Sequence, residues 1–222
     1  MMSRLALRGV HRHRWEWPPF AVAVVAAGLF FWLAHEAAIE HEHSALELDW
    51  MRAISALRTD VMTSALLWVN RVHDEAIASL IFIILAAQAF RRRWRQFHLL
   101  LAMGPGAMLL NLLAKSAFQR PRPPVDALVS AHGYAFPSGH TIAAAATAAM
   151  LIYLTWHQTT SPGWRAAVAI VAVSMALVVG FSRVYLGAHY PSDVMASLLE
   201  AVAWSCLCIE VGRYRPDLSG EN

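Results

Sequence analysis

Six long apolar runs, joined by stretches rich in arginine, constrain this chain more than any other feature. They are Pro18–Ala34, Ala76–Phe90, Phe97–Ala114, Thr141–Trp156, Ala166–Phe181 and Val194–Val211. Runs of this kind are stable when their backbone is paired internally and their side chains meet protein or lipid. Composition agrees: 58% of residues are hydrophobic and only 15% charged, where a soluble domain carries about 25% charged residues. A disordered chain and an ordinary soluble globule are both excluded. The expected fold is all-α, a single-domain integral membrane bundle of six transmembrane helices over residues 1–222. Several runs are nearer 16 than 20 residues. At about 1.5 Å per residue they need flanking Trp and Arg to complete a crossing. Trp94, Trp156 and Trp164 sit where an interfacial belt requires them. Gly104-Pro105-Gly106 predicts a break inside the third run. The first run is followed by a charged stretch with no small-residue cleavage pattern, so it reads as a retained span.

The bases divide unevenly between the two sets of joints. Arg4, Arg8, Arg12, Arg14, Arg91, Arg92, Arg93, Arg95, Arg165, Arg213 and Arg215 make eleven on one side; Arg52, Arg58, Arg71, Lys115, Arg120, Arg122 and Arg183 make seven on the other, together with ten of the 15 acids. The excess of bases predicts cytoplasmic termini, with the joints after the first, third and fifth spans facing out. The first outer joint, His35–Glu75, is long. Within it Leu46, Trp50, Ile54, Leu57 and Val61 recur at helical spacing, predicting one or two amphipathic helices at the outer interface over Leu46–Leu67.

The other two outer joints concentrate chemistry. One carries Lys115, Arg120, Arg122 and then Phe136-Pro137-Ser138-Gly139-His140; the other carries Ser182-Arg183 and His189-Tyr-Pro-Ser-Asp193. Lys115 is the chain's one lysine beside 17 arginines. Arginine suits bidentate contact with tetrahedral oxyanions, and lysine acts as a compact point charge. Ser138 and Gly139 open a helix, whose N-terminal N–H groups cradle anions. His140 and His189 can supply a nucleophile and an acid, and Asp193, four residues after His189, can reach an imidazole nitrogen and fix its tautomer. The sum is a site for phosphoryl transfer that uses side chains and no obligatory metal or cofactor.

Lys115-x6-Arg122-Pro123, Pro137-Ser138-Gly139-His140 and Ser182-Arg183-x5-His189-x3-Asp193 resemble, in order and spacing, the three motifs of the type 2 phosphatidic acid phosphatase (PAP2) superfamily. That superfamily includes bacterial lipid-phosphate and undecaprenyl-diphosphate phosphatases and the haloperoxidases. The resemblance runs from the third span through the sixth. It implies a PAP2/haloperoxidase-like helical core and a membrane lipid phosphatase of the undecaprenyl-diphosphatase kind. It also implies roles: His189 attacks phosphorus and forms a phosphohistidine, Asp193 orients it, and His140 protonates the leaving oxygen. Lys115, Arg122, Ser138, Gly139 and Arg183 hold the phosphate oxygens. The implied partners are a lipid phosphate and the surrounding lipids. Hydrolysis, transfer of the phosphate to an acceptor lipid, and non-catalytic binding or transport all stay open at this stage. So does the choice among undecaprenyl diphosphate, which is favoured, phosphatidylglycerophosphate and phosphatidic acid.

Other features read as structural. Cys206 and Cys208 lie two apart in an apolar run and cannot bridge well. The basic residues form no nucleic-acid-binding domain. The stretch His35-Glu36 to His43 lacks the His-Glu-x-x-His pattern of a metal site, because position 39 is Ile. Glu200, inside the last run, is an intramembrane acid without an assigned role.

Overall fold

The protein's structure, a computed structural model, describes residues 18–39 and 44–214. The basic residues Arg4–Arg14, Arg215, and the His41-Glu42-His43 part of the acidic stretch lie outside them. The described residues are all-α: α1 (Pro19–Leu33), continued by a π-helical turn (Ala34–Ile39), α2 (Ser44–Ala56), α3 (Asp60–Phe90), α4 (Trp94–Met103), α5 (Pro105–Phe118), α6 (Gly139–Gln158), α7 (Pro162–Tyr185) and α8 (Pro191–Tyr214). Local chemistry sets many of these ends. Proline opens α1, α5, α7 and α8, where its missing N–H costs nothing. Thr59 and Ser161 accept from Met62 N and Trp164 N, capping α3 and α7. The predicted break falls at Gly104, which separates α4 from α5.

Among the described residues, five helical stretches are long and apolar enough to cross a membrane: Pro19–Ala37, Asp60–Phe90, Trp94–Phe118, Pro162–Tyr185 and Pro191–Arg213. The helix α6 is not among them. Its first half is rich in alanine, and it carries Thr141, Thr147 and Thr155. It lies inside the bundle against α7 and α8, with Ile142, Ala146, Met150 and Thr147 buried. A helix shielded by other helices needs small, well-packed side chains more than strong hydropathy.

The largest departure from expectation concerns residues 46–75. The amphipathic stretch divides in two at Leu57–Thr59, and everything after Asp60 joins the second span as one 31-residue helix. Nothing between Asp60 and Phe90 is Gly or Pro, so propagation costs less than stopping. At about 1.5 Å per residue this helix is about 46 Å long, well beyond a hydrocarbon core of roughly 30 Å. Its first turns, with Asn70, His73 and Asp74, therefore belong to the end of the bundle where the motif residues gather. In α2 the apolar residues Leu46 and Trp50 face outward, while Glu47 and Met51 are buried. An outward apolar stripe fits a lipid interface; the inward acid was not foreseen.

Two contacts fix the end of the bundle that carries the motifs. Phe30, Phe118 and Phe136 form a ring cluster with centroids 5.2–6.1 Å apart, tying α1 and α5 to the loop before α6. At Gly180 a β-carbon would come within 2.8 Å of Val194 Cγ1. Glycine there lets α7 approach the first turn of α8, the turn that holds Asp193. Trp94, Trp156 and Trp164 lie at the other end of the bundle, at the ends of α4, α6 and α7.

Candidate active site

The motif residues come from four places that the chain brings to one end: the end of α5 and the loop after it, the start of α6, the end of α7, and the α7–α8 turn. Gly187, with φ of 78°, makes that turn possible; its hypothetical β-carbon would lie 3.1 Å from Ala127 Cα. The turn delivers His189 into a buried position, only 2% exposed. His189 Nδ1 lies 3.4 Å from Asp193 Oδ2, at the long end of hydrogen-bond reach. On the other side of the ring, Arg122 Nη1 is 3.3 Å from Nε2. A guanidinium can only donate, so Nε2 carries the lone pair and the ring proton sits on Nδ1, towards Asp193. Burial pushes the His189 pKa down to about 4; Asp193 opposes this, and Arg183 and Arg122 add to it. The imidazole is thus neutral at pH 7, as a nitrogen nucleophile must be.

Asp193 is fully buried, and each of its oxygens is used. Oδ2 also accepts from Tyr190 N at 2.9 Å, and Oδ1 accepts from Arg120 Nη1 at 2.6 Å. Arg120 lies outside the three sequence motifs. It is 1% exposed. Its Nη1 also donates to Ser192 Oγ at 2.7 Å, and its Nη2 donates to Glu47 Oε2 at 2.7 Å. Glu47 Oε1 accepts from Ser192 N at 2.7 Å. Burial alone lowers the Arg120 pKa, but Asp193 and Glu47 together outweigh it and raise it. Removing one member of a buried ion pair typically costs about 3–5 kcal/mol, because the survivor is left uncompensated. Glu47 could not be found from sequence, since it is 73 residues from Arg120 and its neighbours read as an interfacial stripe.

The cations of the first motif spend their donors on loop carbonyls. Arg122 donates to Ala188 O at 2.8 Å, Gly133 O at 3.1 Å and His132 O at 2.8 Å, and Lys115 Nζ donates to Tyr134 O at 2.8 Å. Burial lowers the Arg122 pKa. Ser138 is buried at the start of α6, its N–H on Asp193 O at 3.2 Å and its Oγ accepting from Thr141 at 3.0 Å. A β-carbon on Gly139 would meet Asn111 Oδ1 at 3.8 Å and Lys115 Cε at 3.9 Å, ordinary contacts. Protein packing therefore does not account for the glycine at this helix N-terminus. Arg183 is buried at the end of α7; Nη1 donates to Asn70 Oδ1 and Nε has no hydrogen-bond partner among the described residues.

His140 faces a different neighbourhood. Its Nε2 is 3.5 Å from Asp74 Oδ1, and its ring stacks on His73 at 4.9 Å between centroids. His73 Nδ1 is 3.0 Å from the same Asp74 oxygen. Both His73 and Asp74 come from the part of α3 that the sequence reading placed in the outer joint. Donor atoms of His73, Asp74 and His140 lie within 4.8 Å of one another, so these three could hold a metal ion, an outcome the sequence did not anticipate. Glu200 Oε2 accepts from Asn111 Nδ2 at 3.1 Å beneath Gly139, and its Oε1 has no hydrogen-bond partner among the described residues.

Comparison with known proteins points the same way. A family model described as the PAP2 superfamily matches residues 95–217. Phosphatidylglycerophosphatase B of Bacillus subtilis is 35% identical over 138 residues, covering 58% of this chain and 68% of that protein. Undecaprenyl-diphosphatase BcrC of the same organism is 29% identical over 166 residues, covering 71% and 79%. Among solved structures, the PAP2-type phosphatidylglycerolphosphate phosphatase from B. subtilis superposes with a TM-score of 0.75 at 25% identity, covering 88% of this chain and 98% of that one. LpxE of Aquifex aeolicus shares the fold, with a TM-score of 0.60 at 21% identity over 74% of this chain and 95% of that one.

Proposed function

The chain belongs to the PAP2 superfamily, and from that premise we propose that it is a membrane lipid phosphatase that removes a terminal phosphate from lipid phosphates or diphosphates. One observation carries the reading. A neutral imidazole has Nδ1 towards a buried carboxylate and Nε2 towards Arg122 of the first motif. In the proposed reaction His189 Nε2 attacks phosphorus as the bond from phosphorus to the leaving oxygen breaks. Asp193 stabilises the imidazole as it becomes positive. His140 gives its proton to the leaving oxygen. Water then attacks the phosphohistidine, His140 takes the water's proton, and the P–N bond breaks to release inorganic phosphate. Lys115, Arg122, Arg183 and the Ser138–Gly139 backbone stabilise charge on the equatorial oxygens. No step requires a metal.

In the same proposal the chain crosses the bilayer six times, with α6 as the inner crossing, cytoplasmic termini, and the site facing outward in a bacterial plasma membrane. A lipid phosphate can then keep its tail in the bilayer while its headgroup enters the site. Undecaprenyl diphosphate is placed first and phosphatidylglycerophosphate second. The likeness to BcrC spans more of this chain, though the likeness to phosphatidylglycerophosphatase B is higher in identity.

The test is phosphate release by the purified protein in detergent from undecaprenyl diphosphate, phosphatidylglycerophosphate and phosphatidic acid. Free phosphate with the highest kcat/KM for the diphosphate is expected, with inhibition by vanadate as a pentacoordinate mimic. Folded protein that releases phosphate from none of the three overturns the reading. Label recovered in an acceptor lipid would make the protein a phosphotransferase.

A further inference from the structure

We propose that Glu47, on the interfacial helix α2, is a positioning residue that acts through Arg120 to keep the charge of Asp193 available to His189. The proposal rests on the phosphohistidine reading above. Neither Glu47 nor Arg120 belongs to the three motifs, and Glu47 lies outside the residues matched by the family model.

Asp193 supports an imidazole that turns positive when Nε2 bonds to phosphorus. Yet its Oδ1 is held at 2.6 Å by a buried guanidinium, closer than His189 Nδ1 lies to Oδ2 at 3.4 Å. A lone arginine there would draw the carboxylate's charge away from the histidine. Glu47 sits 2.7 Å from the opposite nitrogen of the same guanidinium, with its side chain 5% exposed. The buried trio Glu47–Arg120–Asp193 therefore carries one net negative charge rather than none. Screening is weak in so dry a site, so that difference is felt at the imidazole. The same two residues also fix the turn that bears Asp193. Glu47 holds Ser192 N, Arg120 holds Ser192 Oγ, and the Arg120 guanidinium lies 4.0 Å from the centre of the Tyr190 ring. A helix that merely docked on the bundle through Glu47 would need neither the second carboxylate oxygen nor the charge.

The experiment compares wild type, Glu47→Gln, Glu47→Asp, Arg120→Met, His189→Ala and the double variant Glu47→Gln/Arg120→Met, all as the whole chain in detergent. Phosphate release is measured from a lipid phosphate and a short-chain soluble phosphate ester, with thermal stability alongside. For Glu47→Gln a fall in kcat of about 10- to 100-fold is expected, the range for coupled neighbours in one network, with KM within about twofold. The acid limb of kcat/KM should also move to lower pH, because losing a negative charge disfavours the protonated imidazole. The charged groups bearing on His189 are Asp193 from α8, Arg183 from α7 and Arg122 from the loop after α5; all are retained in Glu47→Gln. Glu47→Asp should recover most of the loss. The double variant should exceed Glu47→Gln in kcat, because without Arg120 there is no positive charge to offset. If Glu47→Gln does not fold, the double variant and Glu47→Asp still read the effect. Wild-type kcat in Glu47→Gln, an unmoved acid limb, or additive losses in the double variant overturns the proposal. An inert wild type removes the phosphatase reading and this proposal with it; an active wild type, silent only in His189→Ala and indifferent to Glu47, removes this proposal alone.

Discussion

Two histidines of the site each face a carboxylate, and the two pairs are built differently. His189 and Asp193 are sealed: both side chains are nearly inaccessible, and Asp193 is bound on every side. His140 and Asp74 are open, with the carboxylate 73% exposed. The contrast matches what the two roles demand. A nucleophile must be neutral, fixed in one tautomer and aimed, and a dry setting with a locked carboxylate does all three. An acid that later becomes a base must exchange protons with water and with the leaving group, and an exposed partner permits that. A sealed pair should therefore be sensitive to every change, and an open pair forgiving.

The largest effect should come from the sealed pair. His189→Ala is expected to lower kcat by about 10⁴-fold or more, as loss of a nucleophile does elsewhere, while the protein still inserts and folds. Single-turnover phosphate release at a wild-type rate would break the comparison at its root. Next, His140→Ala should cost about 10²- to 10⁴-fold with an alkyl leaving group, the usual span for general acid catalysis. It should cost far less in the attack step with a nitrophenyl ester, whose leaving oxygen needs no proton. Equal losses with both esters would show that His140 is not the acid. The sealed imidazole also predicts a pH profile. Attack needs neutral His189, so for a substrate whose leaving oxygen needs no proton from His140, and which does not itself titrate there, kcat/KM should hold steady on acidification and fall only near pH 4. An acid limb near the ordinary histidine value, about 6.5, would mean the site is wetter than its geometry. Asp74→Asn should then cost only about threefold to tenfold, since an exposed pair contributes little; a loss matching that of Asp193→Asn would erase the distinction. The smallest expected effect is that of EDTA, which should leave activity unchanged. Full loss restored by Zn²⁺ would turn His73, Asp74 and His140 into a metal centre.

How much was legible follows the same division. The motif residues could be read because each recurs with fixed local spacing. His189 and Asp193 are four apart, Ser138 to His140 are consecutive, and a turn or helix start converts such spacing directly into geometry. Asn70, His73 and Asp74 were hidden by a boundary error. Hydropathy ended the second span at Ala76, but the helix runs on to Asp60, because backbone hydrogen bonding continues where apolar character stops. Glu47 was hidden for another reason. The apolar stripe of α2 was correctly periodic, yet Leu46 and Trp50 face outward while Ile54 packs against the core, and in lipid the hydrophobic face does not mark the protein interior.

By itself, the sequence determined that the chain is helical, lies in a membrane, breaks at Gly104 and gathers its chemistry in the joints of one side. Those properties follow from transfer energies and from spacing a few residues long. Only the tertiary structure decided that a helix from the first joint delivers an acid to Arg120, and that a second carboxylate waits beside His140. Such pairings join residues some 70 positions apart in the chain. They form because buried charges must find partners once the bundle closes, and no local pattern records which partners those are.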